Sequence, residues 1–121
     1  VKFTESHEWV EINDESGLAF VGITAHAQKE LGEIVYIELP KVGTQVQAGE
    51  EVAVLESTKA AVDISSPVTG EVVSVNERAK ENTDLVNSAP ESEGWLFKIK
   101  VAKEAPLAEL LDHVQYLALI R

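Results

Sequence analysis

Short β-branched runs, cut at close intervals by Gly, Pro and Asn-Asp clusters, leave this chain little choice but a sheet. HEWVEI (7–12) and LAFVGI (18–23) flank NDESG, a turn in which Gly17 is free to take positive φ, so the pair predicts a hairpin. EIVYIEL (33–39) sets Ile34 and Tyr36 against Val35 and Ile37, a strand that Pro40 ends. EVAVLE (51–56), AAVDIS (60–65) and WLFKIKV (95–101) supply further strands, and SPVTGEVVSV (66–75) holds another turn and strand. Two stretches change period. In TAHAQKELG, Thr24 suits an N-cap, Ala27 and Leu31 share a helical face and Gly32 can close the end, which predicts a short helix near 24–31. In PLAELLDHVQYLALI, Pro106 suits the first helical position, and Leu107, Leu110, Leu111, Val114, Leu117 and Ala118 fall on one face. That predicts a C-terminal helix near 106–120. The polar stretch 76–94 predicts a helical turn and then loop, pinned to a core by Leu85 and Val86. With 121 residues the expectation is one mainly β domain over 1–121.

Composition narrows the function classes. Ten Lys and Arg stand against 21 Asp and Glu, a net charge of −11. A surface that acidic repels phosphate backbones and anionic lipid heads, so no nucleic-acid and no membrane partner is expected; a protein with a basic docking face fits better. No cysteine is present, which removes disulfides, thiolate metal ligands and a cysteine nucleophile. His7, His26 and His113 lack metal-ligand spacing, and no nucleophile elbow or Gly-rich phosphate loop appears, so neither a metal site nor a catalytic constellation is expected. The stretch VKFTE is neither a signal peptide nor an Arg-rich transit peptide.

One internal echo singles out a lysine. GEEVAV starts at Gly49 and GEVVSV at Gly70, with Lys59 near the midpoint. Lys59 lies in VAVLESTKAAVDIS, between two strand-like runs and beside the small Thr58 and Ala60. A hairpin tip would place its amine in reach of another enzyme. A Schiff-base lysine needs the opposite, burial that depresses its pKa.

ESTKAAVDISSPVTGEVVSVN resembles the lipoyl-attachment stretch of the glycine cleavage system H-protein family. SHEW (6–9), VGIT (21–24), AQKELGEIVYIELPKVG (27–43), LVNSAP (85–90) and EGWLFKIK (93–100) resemble the same family in the same order. Thr58, where the family more often has Val, and Thr83, where it often has Pro, are the departures. The resemblance implies a flattened β-barrel or sandwich of the biotinyl/lipoyl (hammerhead) type, its lipoyl-like core over about 18–101. It implies lipoate in amide linkage to Lys59 and a carrier without turnover of its own. Its partners would be a PLP-dependent glycine decarboxylase, a tetrahydrofolate-dependent aminomethyltransferase, dihydrolipoamide dehydrogenase and the lipoate-attachment enzymes. Such a chain would shuttle an aminomethyl group between the first two and be reoxidised by the third. Candidates to shelter the loaded arm are Ser6, Glu8, Ile23, Glu30 and Asp63. The expected compartment is a bacterial cytoplasm, or a mitochondrial matrix if a presequence has been removed. H-like proteins that relay lipoate to other complexes share the attachment stretch and are the alternative. A biotin carrier usually sets its lysine between methionines, and this chain has none. A 2-oxo-acid dehydrogenase lipoyl domain normally shows Asp before the lysine, where this chain has Thr58.

Overall fold

The structure is a computed structural model that describes residues 1–102 and 110–121. Its strands are β1 (Lys2–Phe3), β2 (Glu8–Asn13), β3 (Leu18–Ile23), β4 (Ile34–Glu38), β5 (Gln45–Val46), β6 (Glu51–Ser57), β7 (Ala61–Ser65), β8 (Gly70–Val75) and β9 (Phe97–Val101). The helices are α1 (Ala25–Leu31), α2 (Glu77–Glu81), α3 (Asp84–Ser88) and α4 (His113–Ile120). A six-stranded sheet runs β1-β2-β3-β9-β8-β5, and a three-stranded sheet runs β4-β6-β7. Every pairing is antiparallel, so short turns connect most neighbours. The two echoing runs separate: GEEVAV feeds β6 in the small sheet, and GEVVSV forms β8 in the large one.

Alternation along the strands builds the core between the sheets. The large sheet contributes Val10, Ala19, Val21, Ile23, Val72, Phe97 and Ile99; the small sheet contributes Ile34, Ile37, Ala53, Leu55 and Ile64. Strand β4 breaks the simple alternation expected of it. A register shift between Ile34 and Tyr36 against β6 turns Ile34 and Ile37 inward and leaves both Val35 and Tyr36 exposed. On the outer face of the large sheet, Trp9 lies flat over Gly22, where a Cβ would come within 2.7 Å of the indole nitrogen. That indole donates to the Pro90 carbonyl at 2.8 Å.

Helix α1 forms where expected. Thr24 caps it by accepting from the Ala27 N–H, and Gly32 ends it at φ +83°. The stretch 76–94 holds two short helices, and Val86 of α3 is fully buried. The C-terminal helix needs correction. Residues 106–109 lie outside the described residues, but Leu110–Asp112 are not helical. Leu111 exchanges both backbone hydrogen bonds with Phe3, at 2.7 and 2.8 Å, and so extends the sheet edge. Asp112 then starts α4 with a capping box to Gln115. Its buried side chain is Tyr116, with Ile120 one turn on, while Val114 and Leu117 of the expected stripe are exposed.

Candidate functional site

Lys59 follows Thr58 in the tight turn between Ser57 and Ala60 that joins β6 to β7, and its side chain is exposed. Ser57 N–H donates to the Ala60 carbonyl at 2.8 Å. Turns this tight usually take positive φ at a central residue and recruit Asn-Gly or Gly. Among the described residues, the one non-glycine residue with positive φ is His7, so Thr58 and Lys59 both keep negative φ. The Ser57 hydroxyl closes the turn, accepting from Lys59 N–H and Ala60 N–H, each at 3.1 Å. Thr58 N–H donates to the Glu33 carbonyl at 3.0 Å, which ties the tip to the start of β4. Gly32 completes the seat: a Cβ there would lie 3.3 Å from Lys59 Cε, so the lysine stem rests against the bare glycine. The amine forms no ion pair with a carboxylate among the described residues. An exposed primary amine on a braced tip is what amide attachment of a carboxylic-acid cofactor requires.

A second feature is an open cleft of about 570 Å³ between the β1–β2 loop and the base of the β6–β7 hairpin. Ser6 and Glu8 line one wall, and Gly49, Ser65 and Ser66 line the other. Glu8 is 2% exposed. Its Oε1 accepts from the hydroxyls of Thr4 and Ser6, both at 2.7 Å. Oε2 has no hydrogen-bond partner among the described residues, and the residue lines the cleft. The loop that presents this carboxylate turns through Glu5-Ser6-His7. Thr4 accepts from His7 N–H, and His7 sits at φ 69°, the position glycine commonly takes in a three-residue hairpin loop. His7 earns the place through its ring: Nδ1 lies 2.8 Å from the Tyr116 hydroxyl, which lies 2.7 Å from Thr24 Oγ1. Burial pushes the Tyr116 phenol above its ordinary value, aided by the charges of Glu91 and Glu8 and opposed by the Thr24 hydrogen bond.

Of the residues singled out beside Lys59, the structure brings Ser6 and Glu8 together. Ile23 pairs with Glu8 across β2–β3 but is 1% exposed and belongs to the core. Glu30 is exposed on α1, 3.2 Å from His26. Asp63 lies midway along β7, where its carboxyl raises the pKa of Glu51 on β6 by hydrogen bonding and like charge. From Lys59 to Ser65 at the cleft is six residues of strand, about 20 Å at a strand's rise, with Asp63 on the way. Sequence reasoning missed Thr4, Gly49, Ser65 and Ser66, which meet only through folding, and missed Ser57 although it adjoins Thr58.

The glycine cleavage H-protein family profile matches the chain from residue 1 to 121. The glycine cleavage system H protein of Thermotoga maritima is 50% identical over 115 residues, covering 95% of this chain and 91% of that one. That of Pectobacterium atrosepticum is 53% identical over 118 residues, covering 98% and 90%. Among solved structures, a glycine cleavage system H protein from Mycobacterium marinum superposes with a TM-score of 0.89 at 34% identity, covering 97% of this chain and 93% of that one.

Proposed function

The chain belongs to the glycine cleavage H-protein family, a family of lipoyl carriers rather than catalysts, and we propose that it bears lipoate on Lys59 and carries the aminomethyl group of glycine. It would collect that group at the PLP-dependent glycine decarboxylase and deliver it to the tetrahydrofolate-dependent aminomethyltransferase. Dihydrolipoamide dehydrogenase would then reset it. The bacterial relatives favour the cytoplasm of a bacterium as its setting. The observation that carries the reading is Lys59: an exposed amine, unpaired among the described residues, on a turn held by hydrogen bonds to Ser57 and to the Glu33 carbonyl just before β4. Bound there, lipoate would supply a strained disulfide that takes up and releases the one-carbon amine. This chain's own residues would present the arm, and Glu8 with Ser6 would hold the amine end in the cleft. A tethered arm makes delivery effectively intramolecular once a partner docks, so docking itself can be weak and brief. The acidic surface suits short-lived, electrostatically steered encounters with basic faces.

The test is attachment. Wild-type protein incubated with a lipoate-attaching ligase, lipoate and ATP should gain one lipoyl mass, located on Lys59 by peptide mapping. Lys59→Arg should gain none while keeping the fold, because Arg retains charge and stem but does not form the amide. Modification that persists in Lys59→Arg overturns the assignment.

A further inference from the structure

A tight turn with negative φ at both central residues does not match the twist of its strands, and the stretch around Lys59 contains no Asn-Gly to correct it. The turn therefore depends on what holds it. Part of that hold is remote in sequence. Glu33, whose carbonyl receives the Thr58 N–H, sits between Gly32 and Ile34, and two side chains from different helices grip those neighbours. From α3, Asn87 accepts from Ile34 N–H at 2.7 Å and donates to the Ile34 carbonyl at 3.1 Å. From α1, Gln28 Nε2 donates to the Gly32 carbonyl at 3.2 Å and lies 3.4 Å from Asn87 Oδ1. Ile34 stands opposite Ser57 in the β4–β6 ladder, so the gripped segment and the turn are next to each other in the sheet. Strand β4 is an edge strand, and the groups Asn87 satisfies belong to a backbone with no second strand to bond to.

We propose that Asn87 and Gln28 are positioning residues for acylation of Lys59. They fix Gly32–Ile34, that segment fixes the Thr58 amide, and with Ser57 it holds the one turn conformation the attaching enzyme binds. This rests on the reading of Lys59 as the lipoyl site. In the acylation step an acyl-adenylate is the co-reactant. Lys59 Nζ, having given up a proton, attacks the acyl carbon; the C–N amide bond forms, the bond from that carbon to the phosphate oxygen breaks, and AMP leaves with no change of oxidation state. None of the side chains of Asn87, Gln28 and Ser57 touches the reacting atoms. Their effect is on the fraction of protein whose turn is ready to bind. A protein competent only part of the time shows an affinity weakened by that fraction.

The experiment measures ligase kinetics on Asn87→Ala, Gln28→Ala, Ser57→Ala and Ser57→Thr against wild type. Gln28→Ala introduces the best helix former on a partly exposed face, so it folds even if Asn87→Ala does not. The expected result is a KM for the protein substrate raised about fivefold to tenfold in the three alanine variants, the size of losing one net hydrogen bond, with kcat near wild type. Ser57→Thr keeps the hydroxyl and should restore wild-type KM. Acylation of Lys59 by a small activated ester should proceed at the same rate in all, because that reagent needs only exposure. Wild-type KM in Gln28→Ala and Ser57→Ala overturns the proposal while leaving the lipoyl site standing. A wild-type protein that takes no lipoyl group overturns both.

Discussion

Glu8 shows what one buried carboxylate does when its neighbours are hydroxyls rather than a cation. Thr4 and Ser6 both donate to Oε1, leaving Oε2 without a hydrogen-bond partner among the described residues at the wall of the cleft. An amine entering the cleft would meet an acceptor already oriented and shielded, and a charge-assisted hydrogen bond there is worth about 1.5–3 kcal/mol. Glu8→Ala is therefore expected to leave attachment on Lys59 unchanged but shorten the lifetime of the aminomethyl-loaded protein at least tenfold. The check is decay of loaded protein with the transferase absent; equal decay rates would make Glu8 a structural carboxylate only. The fold should tolerate the change, because Thr4 Oγ1 and Ser6 Oγ lie 3.2 Å apart and can bond each other. At this scale the sequence was legible in part. Lys59 stood out because its flanks are strand-like and its neighbours small. Gln28 and Asn87 did not, since Asn87 is 53 residues from the backbone it grips and no local pattern marks such a partner.

The β6–β7 hairpin is the element on which function and electrostatics meet. Glu51 and Asp63 are diagonal neighbours across it, and Glu51 titrates above its ordinary value of 4.5 because Asp63 shares a proton with it and repels its charge. A carboxyl with a raised folded pKa binds its proton more tightly in the folded state. Lowering pH through that range therefore adds stability, and the neutral-pH fold carries the repulsion. Asp63→Asn is expected to bring the Glu51 titration midpoint down towards 4.5, followed by NMR of the side-chain carboxyl. It should also leave the melting temperature at neutral pH equal to or slightly above wild type, with the difference closing in acid. An unmoved Glu51 midpoint would refute the pairing. Elements with several inward-facing residues were readable in advance: β2, β3, β6, β7, β8, β9 and α1 lie within a residue or two of where pattern places them. The two-residue strands β1 and β5 were not, because a period of two needs more than one repeat to show. Helix α4 was expected to include Leu110 and Leu111 because the leucine stripe reads as one continuous face, whereas Leu111 satisfies its backbone on Phe3 and α4 begins only after Asp112.

Across the whole molecule, Tyr116 joins parts that sequence holds furthest apart. Its ring stacks on Phe3 at 4.6 Å between centroids, and its hydroxyl reaches both His7 and Thr24. With a folded pKa raised above 10.0, the stability that depends on a neutral phenol is complete below that pH and is lost as pH climbs above it. Tyr116→Phe should cost about 1–3 kcal/mol at neutral pH, from two hydrogen-bonding groups left without their partner, and should flatten the alkaline loss that wild type shows. Urea unfolding at neutral and strongly alkaline pH measures both; a wild-type alkaline slope in Tyr116→Phe would assign the loss to another group.

The bridge between Phe3 and Leu111 has a consequence in time rather than in energy. Strand β1 bonds β2 on one side and, through Phe3, Leu111 on the other. A ribosome that has made every other strand of both sheets has still not made the residue that closes the edge of the first. For this chain, then, the order in which the sheet is written and the order in which it can be sealed differ: the earliest strand waits longest, and its outer edge stays open to other polypeptides until synthesis has passed Leu111.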